Sequence, residues 1–147
     1  MRVVELTSAQ THPLRRLVLR DNDPARSVVF DGDDEPGTFH LGVVDDAGEI
    51  VATSTWLSRP TDHAPGAPSV QLRGMATAPE RHGSGVGGLL FDTAVELCAQ
   101  RGYTVLWANA RDTALAFYER HGCTVVGAGF VDATTGLAHH VVVRRLT

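Results

Sequence analysis

Between residues 81 and 88 the chain reads RHGSGVGG, four glycines in eight positions, and an apolar run follows directly. Glycine loses more backbone entropy on folding than any other residue, so a cluster this dense answers a structural demand. Upstream, VQLRGMAT reads as a strand ended by Pro79. Downstream, Val86, Leu89, Leu90, Ala94, Leu97 and Cys98 keep helical spacing as far as Gly102, a natural C-cap. A strand, a glycine-rich turn and a helix together make an anion site. The glycines let the backbone approach a ligand closely, and the helix N-terminus presents unpaired N–H groups with a partial positive charge. A tight turn alone needs one glycine, whereas Gly83, Gly85, Gly87 and Gly88 stand together here. Two common phosphate loops do not fit. A nucleoside-triphosphate loop needs Lys then Ser or Thr after its glycines, and that pair is missing. A dinucleotide loop follows the first strand of a βαβ fold, and this one comes after four strands.

The rest of the chain supplies those strands. RVVEL reads as an opening strand, and TSAQTHPLRRLVLR as a helix with Pro13 suited to its first turn. On that helix Leu14, Leu17 and Val18 share one face, with Arg15, Arg16 and Arg20 elsewhere around it. DNDPARSVVFDGDDEPG is a turn-rich acidic loop with a brief ordered piece around Val28 to Phe30. TFHLGVVDDAGEIVATSTWL reads as a β-hairpin, and SRPTDHAPGAPS as a loop too short to link domains. YTVLWANA is a buried strand. DTALAFYERHG is a short helix with Asp112 as N-cap and Gly122 as stop, and CTVVGAGFV and LAHHVVVRRL are two final strands. The order β-α-β-β-β-α-β-α-β-β predicts a single α/β (α+β) domain, with a mixed, mostly antiparallel sheet of about seven strands flanked by helices.

Composition narrows the partners. The 147 residues are 43% hydrophobic and 20% charged, as in an ordinary globular domain. A net charge of −4 and a pI near 5.9 argue against nucleic acid or an anionic membrane as partner. Cys98 and Cys123 fall in apolar segments and read as buried thiols of a reducing compartment, and no Cys/His cluster suggests a metal. The opening residues lack the long apolar core of a signal peptide, and no apolar run is long enough to span a bilayer. A cytoplasmic location is the expectation.

LRGMATAPERHGSGVGGLLFDTAVELCAQRG followed by ALAFYERHGCTVVG resembles the GNAT superfamily of acyl-CoA-dependent N-acyltransferases. That family combines a strand, a proline, an Arg/Gln–x–x–Gly–x–Gly/Ala loop, a helix and a later Phe–Tyr–x–x–x–Gly segment. All occur here in order, and the predicted elements cover nearly the whole chain. The resemblance implies one N-acetyltransferase domain over residues 1–147 that uses acetyl-CoA as cosubstrate, with no metal. It gives the coenzyme pyrophosphate to the backbone of His82, Gly83, Ser84, Gly85, Val86, Gly87 and Gly88. The pantetheine amides go to Met75, Ala76 and Thr77, in a gap where the flanking strands splay, with Trp107 to Ala110 as the other wall. Phe117 belongs to the same coenzyme-binding set. Two positions depart from the pattern. His82, preceded by Arg81, stands where Arg or Gln is usual, and Arg111 stands where an asparagine is frequent, with Asn109 close by. Arg111 is then a candidate for a coenzyme phosphate.

Acyl transfer from a thioester to an amine needs a deprotonated amine, donors for the tetrahedral oxyanion and a proton for the departing thiolate. The resemblance makes Tyr118 the general acid, and a phenol with an ordinary pKa near 10 still holds its proton at neutral pH. It assigns the oxyanion to a backbone N–H within Met75–Thr77. The base is not apparent. Alternating positions on the strand before the loop hold Gln71 and Arg73, neither a base. His40, Glu35, His139 and His140 are alternatives, and deprotonation through water is preferred to any of them. Arg20, Arg73 and Trp56 are the candidates to line an acceptor cleft, where arginine would favour an acceptor bearing a carboxylate or phosphate. The expected acceptor is a small-molecule or peptide amine, and a homodimer is left open. A non-catalytic acyl-CoA sensor is the alternative, favoured by the missing strand carboxylate and opposed by Tyr118.

Overall fold

The computed structural model describes residues 1–146. Seven strands and three α-helices follow in the predicted order: β1 (Arg2–Leu6), α1 (Ser8–Leu14), β2 (Phe39–Val44), β3 (Ile50–Ser58), β4 (Ser69–Thr77), α2 (Val86–Gln100), β5 (Val105–Arg111), α3 (Leu115–Arg120), β6 (Thr124–Val131) and β7 (Ala138–Arg145). The strands form one sheet in the order β1-β2-β3-β4-β5-β7-β6. It is mixed: β4 and β5 are parallel, while β1–β2, β2–β3, β5–β7 and β6–β7 are antiparallel. Helix α2 supplies the crossover that the parallel pair requires. The chain packs as two compact units, Met1–Leu57 with Arg73–Ala94, and Ser58–Leu72 with the chain from Val95 onward.

In the first unit, Thr7 caps α1 through a capping box. Its hydroxyl accepts the Gln10 N–H at 3.3 Å, and the Gln10 side chain accepts the Thr7 N–H at 2.8 Å. Pro13 lies inside α1, not in its first turn as expected. It has no N–H to give the preceding turn, and the chain continues as a wider π-type turn over Arg15–Leu19. Arg15 is consequently fully buried, against the expectation that it lies off the apolar face. The segment around Val28 to Phe30 forms no helix or strand, although Val28 is buried. All six residues of β2 are buried. At Gly42 a Cβ would sit 2.5 Å from Leu6 Cδ1 and 2.7 Å from the Ala52 carbonyl oxygen, so no side chain fits there. Phe39, Leu41, Val43, Trp56, Leu90 and Phe91 form the core, each such side chain contributing about 1.5–3 kcal/mol by leaving water.

In the second unit, the β4–β5 ladder runs for only three pairs, Ser69↔Val105 to Gln71↔Trp107, while β4 itself continues to Thr77. The β5–β7 ladder is longer, from Val105↔Arg145 to Arg111↔His139. A 3₁₀ turn over Asp112–Ala114 precedes α3. Ala114 holds the cap position without a side-chain bond, so Asp112 is not the N-cap expected from sequence. Its carboxylate instead meets His140 Nδ1 at 2.7 Å. Val70, Leu72, Val105, Leu106 and Val142 form this core, with the free thiols of Cys98 and Cys123 also buried.

Candidate functional site

Between β4 and α2 the chain makes a short 3₁₀ turn at Pro79–Arg81 and then the glycine loop. Gly83 and Gly85 have φ of 78° and 85°, in the left-handed region where a side chain is strained. A Cβ at either would meet nothing within 4 Å, so backbone conformation and not crowding selects glycine there. The first N–H of α2 with a backbone partner is that of Leu89, bonded to the Gly85 carbonyl at 3.0 Å. Among the described residues, the N–H groups of Gly85, Val86, Gly87 and Gly88 have no backbone partner. Four consecutive orphan donors at the positive end of a 15-residue helix are groups that an anion could satisfy. Gly87 and Gly88 leave that turn bare of side chains, and buried Val86 anchors it.

Two side chains fix the start of the loop. Arg81 pairs with Asp45 at 2.9 Å, tying the loop to the β2–β3 turn. The Asp45 carboxyl lies below the usual range, chiefly through the Glu49 N–H, with Ala47 N–H and Arg81 adding to it against burial. The His82 Nε2–H donates to the Thr77 carbonyl at 3.2 Å, pinning the loop to the end of β4. At that end Met75 and Thr77 are half-buried and Ala76 is buried. Gln71, Arg73 and Met75 share one face of β4, which offers no carboxylate or imidazole.

The first unit also gathers the arginines. Phe30 lies under three guanidinium groups, with Arg15, Arg20 and Arg73 at 4.0, 4.9 and 5.5 Å from its ring centre. Arg73 donates to the Asp31 carbonyl at 3.0 Å, and Arg20 to the Leu19 carbonyl at 2.9 Å. Arg15 pairs with both carboxylate oxygens of Asp33 at 2.7 and 2.9 Å, and it also donates to Thr55 and the Val28 carbonyl. Burial alone would raise the Asp33 carboxyl. Hydrogen bonds from Arg15 and the Phe30 N–H, with the Arg15 charge, outweigh it and hold the group below the usual range. Trp56 is a correction. It is fully buried, 6.4 Å from both Phe39 and Phe91 between ring centres, and its indole N–H bonds Ser54. It is a core residue.

In the second unit, Asn109 is exposed on β5 opposite Val141, and half-buried Arg111 ends that strand opposite His139. Tyr118 is buried on α3, edge-on to Phe117 at 5.3 Å. Burial pushes its phenol above the ordinary value, and the charge that Cys123 takes on once ionised adds to this, so Tyr118 holds its proton throughout the neutral range. Three of the alternative bases, His40, His139 and His140, are hydrogen-bonded. His40 accepts from Thr55 at Nδ1 and donates to the Asp33 carbonyl from Nε2, at 2.7 and 3.1 Å. His139 donates from Nδ1 to the Leu137 carbonyl, and His140 is held by Asp112. Glu35 is exposed on the loop before β2. Sequence reading missed the Phe30 platform and the Arg15–Asp33 pair. The arginine-rich phrase HPLRRLVLR followed by an aromatic in an acidic loop was the available signal, but the π-type turn that buries Arg15 has no sequence mark.

The model of the Acetyltransferase (GNAT) family matches residues 5–123, and the chain belongs to that family. It is an acyltransferase enzyme. It is 26% identical over 142 residues to the uncharacterized N-acetyltransferase YitI of Bacillus subtilis (strain 168), covering 97% of this chain and 93% of that one. Among solved structures it superposes on an acyl-CoA N-acyltransferase from Pseudomonas aeruginosa with a TM-score of 0.74 and 21% identity, over 97% of this chain and 98% of that one. It superposes on an aminoglycoside 6'-N-acetyltransferase complexed with coenzyme A with a TM-score of 0.76 and 15% identity, over 100% and 98%. At those identities the solved structures share the fold. Among the described residues no His/Cys/Asp/Glu group is arranged to hold a metal, and no helix is long and apolar enough to cross a membrane.

Proposed function

We propose that residues 1–147 work as one N-acetyltransferase domain that transfers the acetyl group of acetyl-CoA to a primary amine, on a small molecule, a peptide N-terminus or a lysine. The observation that carries this reading is the run of four orphan N–H groups at Gly85–Gly88. It offers the pyrophosphate a full set of backbone donors with no side chain in front. The solved relative named as a coenzyme A complex supports the same cosubstrate. Backbone groups of Met75–Thr77, beyond the last β4–β5 pair, take the pantetheine amides and provide an N–H for the oxyanion. In the family role, Tyr118 gives its proton to the coenzyme sulfur as the C–S bond breaks.

The attacking amine loses its proton to water, since the face of β4 carries Gln71, Arg73 and Met75. The amine nitrogen then bonds the acetyl carbon in a ternary complex, and the thiolate leaves as free thiol. Arg20 and Arg73, side by side on Phe30, favour an acceptor that carries a carboxylate or phosphate beside its amine. Two buried, free thiols support a cytoplasmic setting. The test is acceptor-dependent release of CoA thiol from acetyl-CoA across a panel of amines with and without such an anionic group. Release that rises with one amine class supports transfer. Saturable acetyl-CoA binding with no release for any amine would reduce the chain to a binding module.

A further inference from the structure

A second site candidate lies in the second unit, on residues that the acyl-transfer reading leaves unused. An open cleft of about 470 Å³ lies between His63, on the loop before β4, and residues Thr124 and Val126 of β6 with Val143, Arg144 and Arg145 of β7. The His63 ring lies over β6, its Cε1 3.6 Å from where a Cβ on Gly127 would be. The Trp107 indole N–H bonds the Arg59 carbonyl at 3.0 Å and fixes the start of the loop that carries His63. Arg144 gives one N–H to the His121 carbonyl at 2.6 Å, and Gly122 leaves its guanidinium room, a Cβ there falling 3.3 Å from it.

The charge balance of this cleft is one-sided. Two arginines and an imidazole line it, and among the described residues no carboxylate does, in a chain of net charge −4. Among the described residues the Arg145 guanidinium and the His63 ring have no hydrogen-bond or ion-pair partner, and both residues are exposed. Thr124 adds a hydroxyl, and Val126 and Val143 an apolar floor. Guanidinium groups gathered without counter-charge repel one another, and a bound oxyanion relieves that repulsion while accepting hydrogen bonds from them and from the imidazole.

We propose that this cleft is an oxyanion-binding site, taking the phosphate or carboxylate group of a small organic ligand, and that Arg145 and His63 hold that group. The experiment titrates the full chain with inorganic phosphate and, separately, with propionate, at ionic strength held constant with sodium chloride. Amide NMR shifts follow binding in the wild type, Arg145→Gln and His63→Gln. The expected result is saturable shifts confined to the loop before β4 and to β6 and β7 with at least one probe, the saturating probe identifying the group. Arg145→Gln weakens binding about tenfold or more, the loss of one charged hydrogen-bond partner, and His63→Gln weakens it measurably. Both side chains are exposed, and melting temperatures equal to wild type confirm that the variants are folded. Shifts no larger than those given by chloride, or wild-type affinity retained in both variants, overturn the proposal. The readout needs no acetyl-CoA, so it stands or falls separately from the acyl-transfer reading.

Discussion

Arg15 and Asp33 carry opposite charges that water does not reach, the Arg15 side chain being 0% exposed and that of Asp33 2%. Removing one partner strands the other's charge, which costs about 3–5 kcal/mol. Arg15→Met alone is therefore expected to lower the urea midpoint severely, and Arg15→Met with Asp33→Leu to recover a large part of the loss. Asp33 also sets an acid limit. Its folded pKa lies below the unfolded one, so its stabilisation is complete above about pH 4 and is lost as pH falls through the folded value. Urea unfolding at fixed pH should show stability falling from about pH 4 downward, and Asp33→Asn should flatten that slope while lowering the neutral plateau. Tyr118→Phe keeps the ring and its packing and removes the proton. Turnover should then fall about 10²- to 10⁴-fold with acetyl-CoA affinity within a few-fold, measured with an accepted amine. Unchanged turnover would defeat the general-acid role. At this scale the sequence offers Tyr118 as the candidate acid through its FYERHG context. It misread Trp56 and Arg15 because burial depends on which strand or turn faces them, and no local pattern encodes that.

The glycine loop shows what an element reveals in advance. Its four glycines suggest an anion cradle, and in the structure they differ: Gly83 and Gly85 take left-handed backbone, while Gly87 and Gly88 leave the first helical turn bare. Gly85→Asp places a carboxylate before the orphan N–H groups and strains the backbone. Acetyl-CoA binding by calorimetry should be lost while the far-ultraviolet spectrum stays that of a folded protein. Near-wild-type affinity would move the coenzyme elsewhere. The ten helices and strands were legible because their periodicity and punctuation are local. The π-type turn was not, because it arises where Pro13 interrupts α1 and tertiary contacts to Asp33 and Thr55 draw Arg15 inward. Nor was the Asp45 brace on Arg81, which joins residues 36 apart.

For the molecule as a whole, a ligand that binds only the folded state adds stability by mass action, about 2.7 kcal/mol at a hundred times its dissociation constant. Acetyl-CoA at saturation should raise the melting temperature of the full chain by several degrees, and an unchanged value would refute coenzyme binding. The sheet order could not be read from the linear sequence, since β7 inserts between β5 and β6 and only the three-dimensional pairing shows it. That insertion leaves β6 as a terminal strand, TVVGAGFV, without one charged residue and with Phe130 and Val131 37% and 69% exposed. An uncharged apolar edge of this kind is a template for adding further strands. What interrupts it is the irregular register between Val126 and Phe130, which breaks the pairing pattern and bends the strand. The residues within that irregular stretch are all small: Gly127, Ala128 and Gly129. Shortening that stretch by one residue should straighten the edge and convert a dispersed protein into one whose light scattering grows with concentration and time.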